Sequence, residues 1–168
     1  MILLALAMIL IAGCASSNQA ELAGLEKADI VVVTKKSYRL ELLRDGKLLQ
    51  TYSVVFGADP VGHKQHEGDE RTPEGRYLID EKRDVGETKY YKALHVSYPN
   101  SQDLQRALAR GGKPGGLIFI HGQRNGFGWA FFFMQFFNWT DGCIALSNQE
   151  MDQVFSAVKL GTPIVIKP

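Results

Sequence analysis

Residues 118–122 read IFIHG and residues 139–148 read WTDGCIALSN. Each is an apolar run carrying one reactive side chain, His121 in the first and Cys143 in the second. Short apolar runs of this kind read as buried strands. Leu117–Ile120 then delivers His121 to a sheet edge. The two side chains are 143 − 121 = 22 positions apart, a gap that a strand–excursion–strand path closes in space. The excursion is an aromatic insert, residues 126–139, with Phe127, Trp129, Phe131, Phe132, Phe133, Phe136, Phe137 and Trp139. Three roles are open to it: core, a wall of a cleft, or a surface that touches membrane.

The residue types suit acyl transfer. A free cysteine, with a pKa of about 8.5, is only a few per cent thiolate at neutral pH, and the thiolate is the attacking species. An imidazole within hydrogen-bond reach takes that proton and later returns it to a leaving amine. Gly142 permits close backbone approach, so an N–H pair around Asp141–Cys143 is the expected oxyanion holder. The plain alternative is a buried apolar thiol and a satisfied strand-end histidine. The residues around the pair argue against that alternative.

The stretch IHG…WTDGCIALSN resembles the active site of the YkuD-type L,D-transpeptidases, peptidoglycan enzymes with a catalytic cysteine. Thr140, Asp141, Gly142, Cys143 and Ile144 fit the family's Ser/Thr-x-Gly-Cys-apolar pattern, and His121-Gly122 fits its upstream partner. A second block, VFGADPVGHKQHEGDERTPEGRYLID over 55–80, looks like the family's Thr-Pro-x-Gly-x-Tyr segment at Thr72, Pro73, Gly75 and Tyr77. The GHK…EGD.RTPEG, HVSYPN and WTDGCIA combination is closest to the YafK-like branch. The chain departs from many members at Asp141 (often His), Ala145 (often Arg) and Gly122 (often Ser or Thr).

The resemblance implies specific roles. Cys143 is the nucleophile and His121 the proton donor and acceptor, with Gly142, Asp141, Thr140 and Gly122 supporting. Arg71, His63 and Trp139 are the expected substrate contacts. No metal or cofactor is required. The substrate is a peptidoglycan stem peptide, and carbapenem-type agents are expected to acylate the site. A hydrolase on the same site, releasing a murein-bound lipoprotein, and a non-catalytic peptidoglycan-binding lipoprotein are the alternatives.

A chain of 168 residues fits one domain with a real core. It is 45% hydrophobic and 22% charged, as ordinary globular proteins are. A net charge of +1 and no basic block predict no nucleic-acid partner. Residues 1–13, MILLALAMILIAG, are too short to span a bilayer and look like the apolar part of a secretory signal. Ile11-Ala12-Gly13-Cys14 resembles a lipobox, so Cys14 is the expected lipidation site and no disulfide to Cys143 is expected. Residues 14–29 read as lipidated cysteine and tether, and 30–168 as the catalytic domain. The expected location is exported and lipid-anchored on the periplasmic face, at the outer membrane in a Gram-negative cell.

Along the domain, the expected strands are Ile30–Thr34, Tyr38–Leu43, Leu48–Phe56, Gly75–Asp80, Tyr90–Tyr98, Leu117–Ile120 and Pro163–Lys167. Asp45-Gly46 is a hairpin signal. Residues 57–71 read as a polar loop and 111–116, GGKPGG, as a flexible one. Asn100–Arg110 is a capped helix, and Ser147 with Glu150 forms a capping box for another, stopped by Gly161. Seven or so strands with two short helices predict a mainly β domain, a sandwich or partly closed barrel.

Overall fold

The computed structural model describes residues 26–127, 129 and 131–168, with backbone alone for 131 and 132. The expected signal (1–13), the expected lipidation site Cys14 and most of the expected tether (14–29) lie outside these residues. The strands are β1 (Ile30–Thr34), β2 (Arg39–Arg44), β3 (Lys47–Ser53), β4 (Gly75–Arg83), β5 (Ala93–Val96), β6 (Phe119–His121), β7 (Ile144–Ala145) and β8 (Pro163–Lys167). The helices are α1 (Ser101–Ala109), one-turn α2 (Phe131–Met134) and α3 (Asn148–Ala157). The strands make one eight-stranded sheet ordered β3-β2-β1-β8-β4-β5-β6-β7. It curls into a half-barrel, the partly closed barrel expected, with α1 and α3 as its two main helices.

Local chemistry explains the joins. Asp45 and Gly46 both take positive φ, 51° and 73°, as a two-residue hairpin turn requires. β1 reads IVVVT, and Val31 and Val33 are fully buried, as befits a strand between β2 and β8. β4 is nine residues long and changes partner midway. Gly75–Leu78 pair with β8, and Ile79–Arg83 pair with β5 across an irregularity at Ile79/Glu81. An extra residue there sharpens the local twist and turns β5, β6 and β7 out of line with the first sheet half.

Register then sorts the side chains of β5, β6 and β7. Leu94, Ile120 and Ile144 lie side by side and none is exposed. They face the core with Leu40, Ile79, Met151 and Ile166. Strand side chains alternate between faces, so Ala93, His121 and Ala145, also side by side, share the other face.

Three expectations are corrected. The strand expected at Tyr90–Tyr98 is shorter, β5; Tyr90 instead makes a lone bridge to Arg124. The helix after Ser147 ends at Ala157, because Val158 turns to extended geometry and enters the core. Gly161, at φ 83°, serves the turn into β8. None of the six described aromatics of the insert is buried: Phe127, Trp129, Phe133, Phe136 and Phe137 are exposed and Trp139 is half-buried.

Candidate active site

Cys143 sits one residue before β7, and the β6–β7 register, extended by one pair, sets it opposite Phe119. Phe119 and His121 are two positions apart, as are Cys143 and Ala145. By the alternation rule, Cys143 and His121 therefore face the same side as diagonal neighbours. The turn beneath the cysteine is held by two buried threonines. Thr140 Oγ1 donates to the Cys143 carbonyl at 2.8 Å and accepts the Gly142 N–H at 3.3 Å. Thr72 Oγ1 donates to the Gly142 carbonyl at 2.9 Å.

Glycine is needed here for space as well as for φ. Gly142 has φ 110°, and a Cβ there would lie 2.4 Å from the Arg71 carbonyl. At Gly57 a Cβ would fall 1.9 Å from the Glu70 carbonyl and 2.7 Å from the Gly142 nitrogen. Residues 57, 70–72 and 140–143 thus pack backbone to backbone, and Gly57 bridges Thr140. This contact explains why the Thr-Pro block and the Gly-Cys block, some 70 residues apart, act as one unit.

His121 is fully buried. Its Nδ1 lies 2.6 Å from the Gly122 carbonyl. A carbonyl only accepts, so Nδ1 carries the proton and Nε2 keeps its lone pair. Nε2 is buried and makes no hydrogen bond. Gly122 has its own steric constraint: a Cβ there would meet Asn148 Oδ1 and the Tyr91 carbonyl, each at 2.7 Å.

The resting protons follow from burial. Burial pushes the Cys143 thiol up; the Phe119 N–H opposes this, Asp141 adds to it, and Lys89 and Lys64 oppose. Burial pulls the His121 imidazole down to about 4, against the Gly122 hydrogen bond and with help from Lys89. At neutral pH the pair is therefore thiol and neutral imidazole. The thiol lies 3.6 Å from the Leu117 carbonyl, to which it donates. Attack requires it to turn from that oxygen to His121 Nε2.

Cys143 opens into a cleft of about 830 Å³ with Tyr90, Phe119 and Asp141. The charged side chains lining it are Lys64, Arg83, Lys89 and Lys113 against Glu67 and Asp141. Lys64 is paired with Asp69 and Arg83 with Glu81, each at 2.7 Å, which leaves Lys89 and Lys113 as the cleft's cations against Glu67 and Asp141. Residues 114–117 of the glycine-rich loop form another wall.

The expected substrate contacts divide. Trp139 meets His121 edge-on at 5.7 Å between centroids. Arg71 and His63 are engaged away from the cleft. Arg71 binds Asp59 through Nε at 2.9 Å and Nη2 at 2.8 Å. His63 Nε2 lies 3.1 Å from buried Asp103, and its Nδ1 accepts the Glu74 N–H at 2.9 Å. Asp141 is exposed at the cleft mouth. The expected N–H pair is reduced, since Gly142 donates to Thr140. Tyr90 and Leu117 escaped the sequence reading; Leu117 has positive φ, 57°, which no local signal announces.

Fold and site together define a curled β half-barrel with a Cys–His pair on one strand face. The chain belongs to the L,D-transpeptidase catalytic domain family, YkuD, which it matches over residues 28–166. It is similar to YafK of Escherichia coli K12, a protein classed with the L,D-transpeptidases, at 29% identity over 112 residues. That match covers 67% of this chain and 38% of YafK, so the chain spans well under half of that relative. YqjB of Bacillus subtilis 168, classed likewise, is 26% identical over 81% of this chain and 69% of its own. Among solved structures, the helical cell shape determining protein Pgp2 of Campylobacter jejuni superposes with a TM-score of 0.62 at 24% identity. That likeness covers 90% of this chain and 56% of Pgp2, and it concerns the fold.

Proposed function

We propose that this protein is a peptidoglycan L,D-transpeptidase that works through an acyl-enzyme on Cys143. The observation that carries the reading is the shared strand face of Cys143 and His121, with a buried, unpartnered Nε2 whose tautomer Gly122 fixes. On binding, the thiol proton passes to Nε2 and sulfur attacks a stem-peptide carbonyl. The Cys143 N–H, left over from the expected pair, meets the developing oxyanion. The C–N bond breaks, and the amine leaves with the proton from Nε2. A thioester remains. An acceptor amine gives its proton to Nε2, attacks the thioester, and restores the thiol. Lys89 and Lys113 in the cleft can meet the carboxylates of stem peptides. Lipidation at Cys14 would hold the enzyme on the periplasmic face, at the outer membrane in a Gram-negative cell, close to that substrate.

Water in place of the amine would make the enzyme a hydrolase, and product analysis separates the two. Disaccharide-peptides, with and without a lipoprotein-linked species, are incubated with protein and read by mass spectrometry. Cross-linked or amino-acid-exchanged products, absent with Cys143→Ala, support transpeptidation. Loss of the linked species without new adducts supports hydrolysis. No change, with Cys143 free and reactive, supports a binding protein.

A further inference from the structure

We propose that Tyr90 is a positioning residue for His121: its ring lies flat on one face of the imidazole and covers that face from the cleft, leaving the Nε2 edge for Cys143. The inference rests on reading His121 as the base.

The two rings are 3.8 Å apart between centroids and inclined by only 7°. Trp139 approaches the same imidazole edge-on, at 64°, and lies 6.0 Å from Tyr90. Tyr90 lines the Cys143 cleft while His121 does not. Tyr90 thus stands between one face of the imidazole and the cleft.

The main chain holds Tyr90 in place. The Asn125 N–H donates to the Lys89 carbonyl at 3.0 Å, and Tyr90 bridges Arg124. The Tyr91 N–H donates to the Gln123 carbonyl, and the Gly122 N–H to the Tyr91 carbonyl, both at 2.8 Å. Residues 89–91 therefore continue the β5–β6 pairing past His121. The Tyr91 hydroxyl then ties this segment to α3 through both Asp152 oxygens, at 3.0 and 3.1 Å. With Nδ1 fixed by Gly122 and the ring plane fixed by Tyr90, the direction of Nε2 is set before substrate arrives.

Few charges act on the ring. Lys89 stands 5.1 Å from the Tyr90 centroid, and Asp141 lies at the mouth of the cleft on the Trp139 segment. The strand neighbours of His121 are Ala93 on β5 and Ala145 on β7. Removing the Tyr90 ring therefore opens that face of His121 to water without placing a new charge beside it. A tyrosine face also favours imidazolium, but the burial it supplies works against the cation and wins, as the low His121 value records.

The test is an NMR titration of the imidazole in the whole protein, which needs no substrate and so stands or falls apart from the transpeptidase reading. His121 is assigned among the four histidines by comparison with His121→Gln. Tyr90→Ala should raise the His121 midpoint by about one unit or more, towards the ordinary value. Tyr90→Phe, which keeps the ring, should hold it near wild type. In turnover, kcat should fall about 10-fold or more in Tyr90→Ala with KM little changed, and Tyr90→Phe should restore most of it. Should Tyr90→Ala not fold, Tyr90→Val suits the extended backbone better, still opens the space over the imidazole, and its midpoint should also rise. An unmoved midpoint in whichever of Tyr90→Ala and Tyr90→Val folds would overturn the proposal.

Discussion

Cys143 and His121 face the same side of the β6–β7 pair, yet the thiol donates to the Leu117 carbonyl and His121 Nε2 stands unpartnered. The two groups are placed for reaction and not yet joined. That disengaged geometry, together with burial of both groups, governs how the protein should respond to pH and to reagents.

The first consequence concerns reactivity at rest. Burial holds the thiol above its ordinary value and Asp141 adds to this. Iodoacetamide alkylation of Cys143 should follow a single titration with its midpoint above about 8.5, the free-cysteine value. His121→Gln should leave this midpoint nearly unchanged, because no hydrogen bond joins the pair at rest. A midpoint well below that value, abolished by His121→Gln, would show a preformed ion pair.

Stability should depend on acid in two stages. His121 titrates near 4 in the fold and near 6.5 unfolded. Between those values the unfolded chain binds more protons, so stability rises with pH across the window and falls as pH drops through it. The loss on full protonation is roughly 3 kcal/mol, and His121→Gln should remove this stage. Asp69 supplies the second. Burial alone would raise it, but Lys64 and the N–H groups of Gln65, His66 and Arg71 bring it down to about 2. Its contribution is present above the unfolded value of about 3.9 and is lost as pH falls towards 2. Urea midpoints measured from pH 7 to about pH 2 follow both stages.

The backbone contact under the cysteine should be sensitive to single methyl groups. Gly57→Ala must displace either residue 70 or the Gly142 turn, with an expected cost of roughly 2–4 kcal/mol. Thr72→Val keeps the volume and removes the hydrogen bond to the Gly142 carbonyl. It should cost about 1–2 kcal/mol and lower the acylation rate at Cys143. Denaturant unfolding with stopped acylation assays checks both. Wild-type rates in Thr72→Val would show that the turn holds without that bond.

A carbapenem should acylate Cys143 by opening its β-lactam ring, so the protein gains the whole mass of the drug. The adduct should map to Cys143 and be absent in Cys143→Ala. Adduct formation in that variant would place the reactive group elsewhere.

Much of this arrangement is legible in sequence wherever the signal is local. Asp45-Gly46 marks its hairpin, and Ser147 with Glu150 marks the start of α3, where both capping bonds form. Pro163–Lys167 is a strand as read. The pairing of the Thr-Pro and Gly-Cys blocks emerges only by resemblance, since the Gly57–Gly142 contact joins distant segments. What the sequence hides is likewise non-local. β7 is two residues long and is defined by its neighbours. Tyr90 owes its place to the segment after His121. His63 and Arg71 look like cleft residues in the sequence, yet Asp103 and Asp59 hold them elsewhere. The sequence leaves the aromatic insert open between core, cleft wall and membrane contact, and none of its six described aromatic side chains is buried.

The central claim is that Cys143 carries the acyl group. The most direct measurement is to quench the protein with a disaccharide-tetrapeptide donor during turnover and locate the adduct by peptide mass mapping. A stem-peptide acyl group on the Cys143 peptide, lacking the donor's terminal residue and absent from Cys143→Ala, is the predicted result. Product formation with no adduct on Cys143, or undiminished turnover in Cys143→Ala, would contradict it.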